Sequence, residues 1–384
     1  NVWGDESFIM KLPLLLLLAS VAASRSAPPR RSHVCVSKFE STLNWETSRW
    51  DAITDLGQAI NALVVTATGT VAPLTPSTWP MQYMIDAAHG NATRITATIH
   101  PESKPAAATF LDLPAATIQA TAHSAVSIAL KAGYDGVQLD WEGLQTPSAK
   151  GLLIFLSACK EALAAKPHTT LSITVYAPKL VFNDFGPYNL LAFQAVADYI
   201  FIMGYDMAPT GVPVGSGWKQ AGPQAPLDAL GVALDHAVAA GAPAASLILA
   251  LPFYGKVSIC NGTQTPLWGN CSCGVKLRLD KSIDLLSGVA VNRTLGCFEG
   301  YDATSATPFV DCPHGTGLPG VPVISTTTRQ QAWFENARSL SAKVQLAATR
   351  GVAGVGVWSA DGVASTTPEG KQIWDIFAQY VRGL

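Results

Sequence analysis

Asp140 and Glu142 stand two residues apart in the string Tyr-Asp-Gly-Val-Gln-Leu-Asp-Trp-Glu-Gly at positions 134–143. Read as a β-strand, whose side chains alternate between faces, the string puts Gln138, Asp140 and Glu142 on one side. Val137, Leu139 and Trp141 then share the other. Two carboxylates ~6.6 Å apart along a strand can address two atoms of one bound molecule, one passing a proton while the other holds a polar group in place. The plain alternative is a half-exposed strand carrying two solvated acids. Where the strand ends separates the two readings. A strand with one apolar face and acids at its C-terminal end fits a (β/α)8 barrel. There the apolar face meets the helices and the strand end opens into the mouth, where active sites lie.

The elements needed to build such a mouth can be read along the chain. Strand-like apolar runs fall near 33–37, 62–67, 94–99, 135–141, 170–176, 198–204, 246–251 and 353–358. Between them lie helical patterns such as 117–132 and 148–165, the rhythm of βα units in a parallel sheet. The expected fold class is therefore α/β, a (β/α)8 TIM barrel. The rhythm breaks once, at about 256–330, where Gly, Pro and the cysteines 260, 271, 273, 297 and 312 gather. That segment reads as a disulfide-bonded insertion on the barrel rim between the seventh and eighth strands. Strand six, Asp-Tyr-Ile-Phe-Ile-Met-Gly-Tyr-Asp-Met at 198–207, brings Met203, Tyr205 and Asp206 to the mouth. Strand seven ends at Tyr254 and strand eight at Trp358. Any one of these aromatics alone reads as core packing. Together, at successive strand ends around two acids, they make the setting that stacking and cleaving a sugar chain requires.

The string at 134–143 closely resembles the D-G-x-D-x-D-x-E signature of glycoside hydrolase family 18, the chitinase family. The likeness extends over most of the chain through Asn44-Trp45 with Trp50-Asp51, the 201–206 and 251–255 strand ends, and Gln331-Ala332-Trp333-Phe334-Glu335-Asn336. Within the family it is nearest to the lysosomal branch that splits the chitobiose core of glycans. Two features depart from the family pattern. Gln138 stands where the family more often has Asp or Asn, and strand three (94–100) lacks the serine-glycine motif of the larger chitinases.

The resemblance implies a retaining, substrate-assisted glycosidase, a recognised exception to the use of a carboxylate nucleophile. The 2-acetamido carbonyl of the substrate would attack the anomeric carbon. Glu142 would be the general acid and then the base, Asp140 would orient the acetamido N–H, and Tyr205 would hold the carbonyl oxygen. Gln138, Met203, Asp206, Tyr254 and Trp358 would bind the sugar, while Asp135 is structural. The expected reaction is hydrolysis of GlcNAc-β-1,4-GlcNAc linkages in chitooligosaccharides or an N-glycan core, with no cofactor and no metal. The alternatives are a secreted chitinase, an endo-β-N-acetylglucosaminidase, or a chitinase-like lectin. The intact Glu142 argues against the lectin.

Bulk properties agree with a neutral substrate. The net charge is −2, the pI about 6.4, and only 14% of residues are charged, which favours neither nucleic acid nor an anionic membrane. Met10-Lys11, the Leu-rich run to Leu18 and Ala-Ser-Val-Ala-Ala-Ser at 19–24 read as a secretory signal peptide. The expected organisation is residues 1–24 as upstream sequence plus leader and 25–384 as one catalytic barrel. The mature protein is expected to be a monomer free of the membrane, lysosomal or vacuolar, or else extracellular. Sequons at Asn91, Asn261, Asn270 and Asn292 fit that route. Cys271-x-Cys273 has the wrong spacing for a zinc knuckle. Cys159, in a helical pattern, reads as a buried free thiol, and Cys35 as pairing at long range or not at all.

Overall fold

The computed structural model describes residues 29–36, 49–72, 81–142, 148–184, 186, 188–207, 221–261, 272–278, 296–312 and 328–384. Seven strands come first: β1 (Arg31–Val36), β2 (Asp55–Val65), β3 (Arg94–Pro101), β4 (Gly136–Leu139), β5 (Thr170–Tyr176), β6 (Tyr199–Met203) and β7 (Leu247–Pro252). Five more follow: β8 (Tyr254–Asn261), β9 (Ser272–Arg278), β10 (Phe298–Asp302), β11 (Thr307–Cys312) and β12 (Thr328–Trp333). The last is β13 (Gly354–Trp358). Strands β1 to β7 and β13 close a barrel in the order β1-β13-β7-β6-β5-β4-β3-β2, every neighbouring pair parallel. This is the (β/α)8 TIM barrel the strand rhythm implies. β2 starts earlier than the apolar run at 62–67, because its first half, Asp-Leu-Gly-Gln-Ala, carries little apolar signal, and its register shifts between Gln58 and Leu63.

Helices cover the outside of the barrel because each presents an apolar stripe. The helices that matter for the site are α1 (Met81–Gly90), α2 (Lys104–Leu111), α3 (Ala115–Ala132) and α4 (Ala149–Leu163). α3 buries Ile118, Ala122, Ala125, Val126 and Ala129, which recur at helical spacing. It stops at Gly133, whose φ of +102° is the left-handed cap that glycine adopts without penalty. That stop lets the chain turn directly into β4. There Val137, Leu139 and Trp141 are buried against the helices, and Trp141 packs on Phe155 of α4 and Phe110 of α2, with ring centroids 5.0 and 6.1 Å away. The outward face of the strand is thus fixed by a side chain whose truncation would cost about 3–5 kcal/mol.

Between β7 and β13 the chain leaves the barrel and builds a separate antiparallel sheet, ordered β10-β11-β12-β8-β9. A disulfide joins Cys297 to Cys312 across β10 and β11. The sheet returns to the barrel through α5 (Ala337–Thr349), which is capped by reciprocal bonds between Asn336 and Ser339. Lys343 on this helix forms a fully buried ion pair with Glu335, just past β12.

Cys159 and Cys35 are both buried and unpaired. Cys271, Asn270, Asn292 and the leader at 1–24 lie outside the described residues. Asn261 ends β8, and Asn91 is exposed just after α1. No helix among the described residues is long and apolar enough to cross a membrane.

Candidate active site

The inward face of β4 aims Gln138 and then Asp140 up the barrel axis, and Glu142 follows where the chain leaves the strand. All three line one cavity of about 200 Å³ at the C-terminal ends of the strands. Met203, Tyr205 and Asp206 from the end of β6, Tyr254 from the start of β8 and Trp358 from the end of β13 line it too. Every barrel residue singled out for chemistry or sugar binding therefore meets in one place. A second cavity of about 340 Å³ adjoins the first, bounded by Lys104, Tyr176, Lys179 and Tyr188. Glu142, Met203, Tyr205 and Asp206 border both. Asp140 belongs to the inner cavity alone, and Glu142 stands at the junction.

The two acids differ in setting. Asp140 Oδ1 accepts a 2.8 Å bond from the Thr174 hydroxyl on β5, and the Asp140 N–H donates to Ile99 O at 2.9 Å. Burial pushes its carboxyl above the usual range, against the Thr174 bond and the field of His100, which pull it down. Gln138, its neighbour on the same face, adds no charge, and desolvation governs Asp140. Glu142 is exposed to the cleft.

The opposite wall is a hydrogen-bonded set centred on Asp206. Its Oδ1 accepts from the Tyr254 hydroxyl at 2.6 Å and pairs with Lys256 Nζ at 2.6 Å. Its carbonyl accepts from Tyr176 at 3.1 Å. Asp206 has φ +54°, a shape uncommon for a residue other than glycine, and these partners hold it there. Tyr205 and Tyr254 stand edge to face at 6.1 Å. Burial, with nearby carboxylates adding, lifts both phenols well above their ordinary range. Each hydroxyl is thus a neutral donor across the whole working range of pH.

Several lining residues escape the sequence reading. Thr98, Thr174, Cys35 and Phe201 form the floor and sides of the inner cavity. Threonines at alternate positions in otherwise apolar strands are the only signal that marks them. Lys256 could be found only by knowing that β8 folds back over the mouth. Among the described residues no group of three or more His, Cys, Asp or Glu side chains is arranged to hold a metal.

The glycosyl hydrolases family 18 model matches residues 105–362, which include the strand carrying Asp140 and Glu142 and the mouth around it. The chain belongs to glycosyl hydrolase family 18. This family 18 chain is 25% identical over 210 residues to "Probable di-N-acetylchitobiase 1" of Dictyostelium discoideum, covering 50% of this chain and 49% of that one. It is 33% identical over 174 residues to "Endochitinase 1" of Metarhizium anisopliae, covering 40% and 39%. The matched stretches thus span about half or less of these curated relatives' lengths. A chitinase of Cycas revoluta, solved in complex with (GlcNAc)3, superposes with a TM-score of 0.72 at 17% identity, covering 91% of this chain and 99% of that one. The Group IV chitinase of Ostrinia furnacalis gives 0.74 at 16% identity, covering 92% and 100%. These structural likenesses establish the barrel.

Proposed function

We propose that the protein is a retaining hydrolase of GlcNAc-β-1,4-GlcNAc linkages that uses the substrate's own acetamide as nucleophile, in the manner of a di-N-acetylchitobiase. The observation that carries this reading is the position of Glu142 at the junction of two adjoining cavities, with Asp140 confined to the inner one. A general acid must reach the oxygen between two sugars, so it belongs where the site for one meets the site for the next. The group that steers an acetamide belongs beside the inner sugar alone. In this scheme Glu142 protonates the leaving oxygen and later takes a proton from water. Asp140 accepts the acetamido N–H and offsets positive charge as the oxazolinium forms. Tyr205 donates to the acetamido carbonyl. Trp358 floors the inner site, with Tyr254, Met203, Asp206 and Gln138 around it.

The substrate class is chitooligosaccharides or the chitobiose core of free N-glycans, and the leader and sequons support a secretory route to an acidic compartment. The protein acts as a monomer. Glu142→Gln keeps the shape of the acid and removes its proton, so turnover should fall by about 10³-fold or more while sugar binding stays near wild type. Hydrolysis of reducing-end-labelled chitooligosaccharides and free high-mannose glycans measures this. A variant retaining more than a few per cent of the wild-type rate rules out Glu142 as the general acid. The chitooligosaccharide products separate the chitobiase from the endo-acting alternatives, since release of single GlcNAc from the reducing end of a longer oligomer marks the former, whereas cleavage of a two-GlcNAc glycan core gives one GlcNAc in either case.

A further inference from the structure

Gln138 stands where the family signature more often has an acid, and its amide needs a partner of its own. The residue is 3% exposed, and its Nε2 meets no hydrogen-bond partner among the described residues. His33 on β1 is buried to the same degree, and its Nε2 also lacks a partner among the described residues. Native interiors rarely leave two such atoms unmatched. The two tips flank one glycine. A β-carbon built on Gly57 of β2 would lie 2.7 Å from His33 Nε2 and 3.5 Å from Gln138 Oε1. Both side chains therefore border the space that any side chain at position 57 would fill, and glycine there keeps it open. On another side the ring of Phe201 stands edge-on to the imidazole at 5.2 Å. Burial holds His33 below the usual imidazole range, with Asp55 raising it and Arg31 lowering it by smaller amounts. The ring is neutral, with one donor and one acceptor nitrogen.

We propose that His33 is a positioning residue for the reaction: its Nε2–H donates to Gln138 Oε1 and so turns the Gln138 NH2 group toward the carboxylate of Asp140. Gln138 and Asp140 share one face of β4 and line the same cavity. Thr174 already holds Oδ1 of Asp140, and the amide serves the carboxylate from below. Both contacts require a turn about the last torsions of the two side chains, which flank Gly57. A neutral imidazole and a neutral amide thus support the acid from beneath without adding a charge. The kinetic consequence rests on the hydrolase reading above, whereas the pair itself does not.

Two measurements test it. In the first, the ring nitrogens of His33 are followed by 15N NMR in the wild type and in Gln138→Leu. The expected result is a proton on Nε2 whose resonance shifts when the amide is lost. An unchanged Nε2 resonance overturns the pair, whatever the enzyme hydrolyses. In the second, His33→Phe and Gln138→Leu each lower kcat about tenfold with KM unchanged, the scale set by a slightly misplaced catalytic group. His33→Gln, which retains a side-chain donor, recovers most of the rate. The double variant His33→Phe/Gln138→Leu is no slower than Gln138→Leu alone, because residues acting through one link are not additive. Losses that multiply in the double variant, or a His33→Gln variant as slow as His33→Phe, overturn the proposal. A wild-type rate equal to that of Glu142→Gln refutes the hydrolase reading instead, and the NMR comparison then decides the pair alone.

Discussion

Asp135 and Asp140 flank the same short strand, and their surroundings treat a negative charge in opposite ways. At the lower end of β4, Asp135 accepts the Ile95 N–H at 3.1 Å, bonds His89 at 2.8 Å and pairs with Lys166 at 3.2 Å. Burial acts to raise its carboxyl, but these partners together hold it below the usual range. At the upper end, Asp140 has the Thr174 hydroxyl and the field of His100 against a larger desolvation, and its carboxyl is raised. The contrast continues around the barrel. On the lower side Asp55 pairs with Arg31 at 2.8 Å and Arg94 at 2.6 Å. Asp198 pairs with Lys160 at 2.7 Å and accepts the Leu171 N–H at 2.8 Å. Charge at the floor is matched and serves the fold. At the mouth Asp206 is matched as well, by Lys256 and Tyr254, and it is the charge of Asp140 that is under-compensated and available for chemistry.

The sharpest way to break this contrast is to neutralise each acid in turn. Asp140→Asn should lower kcat by about 10²-fold and leave the melting temperature at neutral pH unchanged or raised. Because the folded carboxyl is raised, the native state keeps its proton longer than the unfolded chain does. Its contribution to stability is present below the ordinary carboxylate range and lost as pH rises through the raised value. The Asn variant should therefore gain on the wild type as pH rises from about 4, the ordinary carboxylate value, through the raised one. A variant that melts well below the wild type at neutral pH would show that the charge stabilises the fold, and the contrast would fail.

Asp135→Asn should do the reverse. Its folded carboxyl is lowered, so its contribution is present above the ordinary range and lost as pH falls through the lowered value. Stability at neutral pH should drop by about 1–3 kcal/mol, the scale of hydrogen bonds to a charged group, with kcat within about twofold of the wild type. Denaturant titrations at two pH values read this directly, and the deficit should shrink in acid. The smallest effect belongs to Lys160→Met. That pair is 41% and 33% exposed, so its loss should cost less than about 1 kcal/mol. A deficit larger than that of Asp135→Asn would mean that exposure does not set the order at the floor.

Much of this arrangement can be read from residue types alone. The period-two alternation at 134–142 separates the helix-facing Val137, Leu139 and Trp141 from the cavity-facing Gln138 and Asp140. The strand ends at 203–206, 254 and 358 follow once the barrel is assumed. The floor of the cavity is harder to see. Thr98 and Thr174 look like ordinary strand residues, and only closure of the barrel brings β3 and β5 to either side of β4. His33 and Gly57 meet Gln138 because three strands converge on the barrel axis, which no spacing along one strand expresses. The same holds for Lys256, whose ammonium reaches Asp206 by a turn between β7 and β8. The single disulfide Cys297–Cys312 among the described residues accords with a cysteine-rich rim, although its pairing could not be chosen from spacing.

The β8 strand has a consequence for anyone who would simplify this molecule. Tyr254 and Lys256 lie in the first residues of the extra sheet, and both terminate on Asp206. β12 pairs with β8 as far as Lys256, opposite Trp333. A shortened barrel made by excising everything between β7 and the helix before β13 would keep all eight parallel strands. It would also strip one whole wall from the cleft and release an aspartate held at φ +54°. A minimal catalyst built on this scaffold must therefore retain β8 with β12 clasped to it, and only the strands beyond that pair are open to trimming.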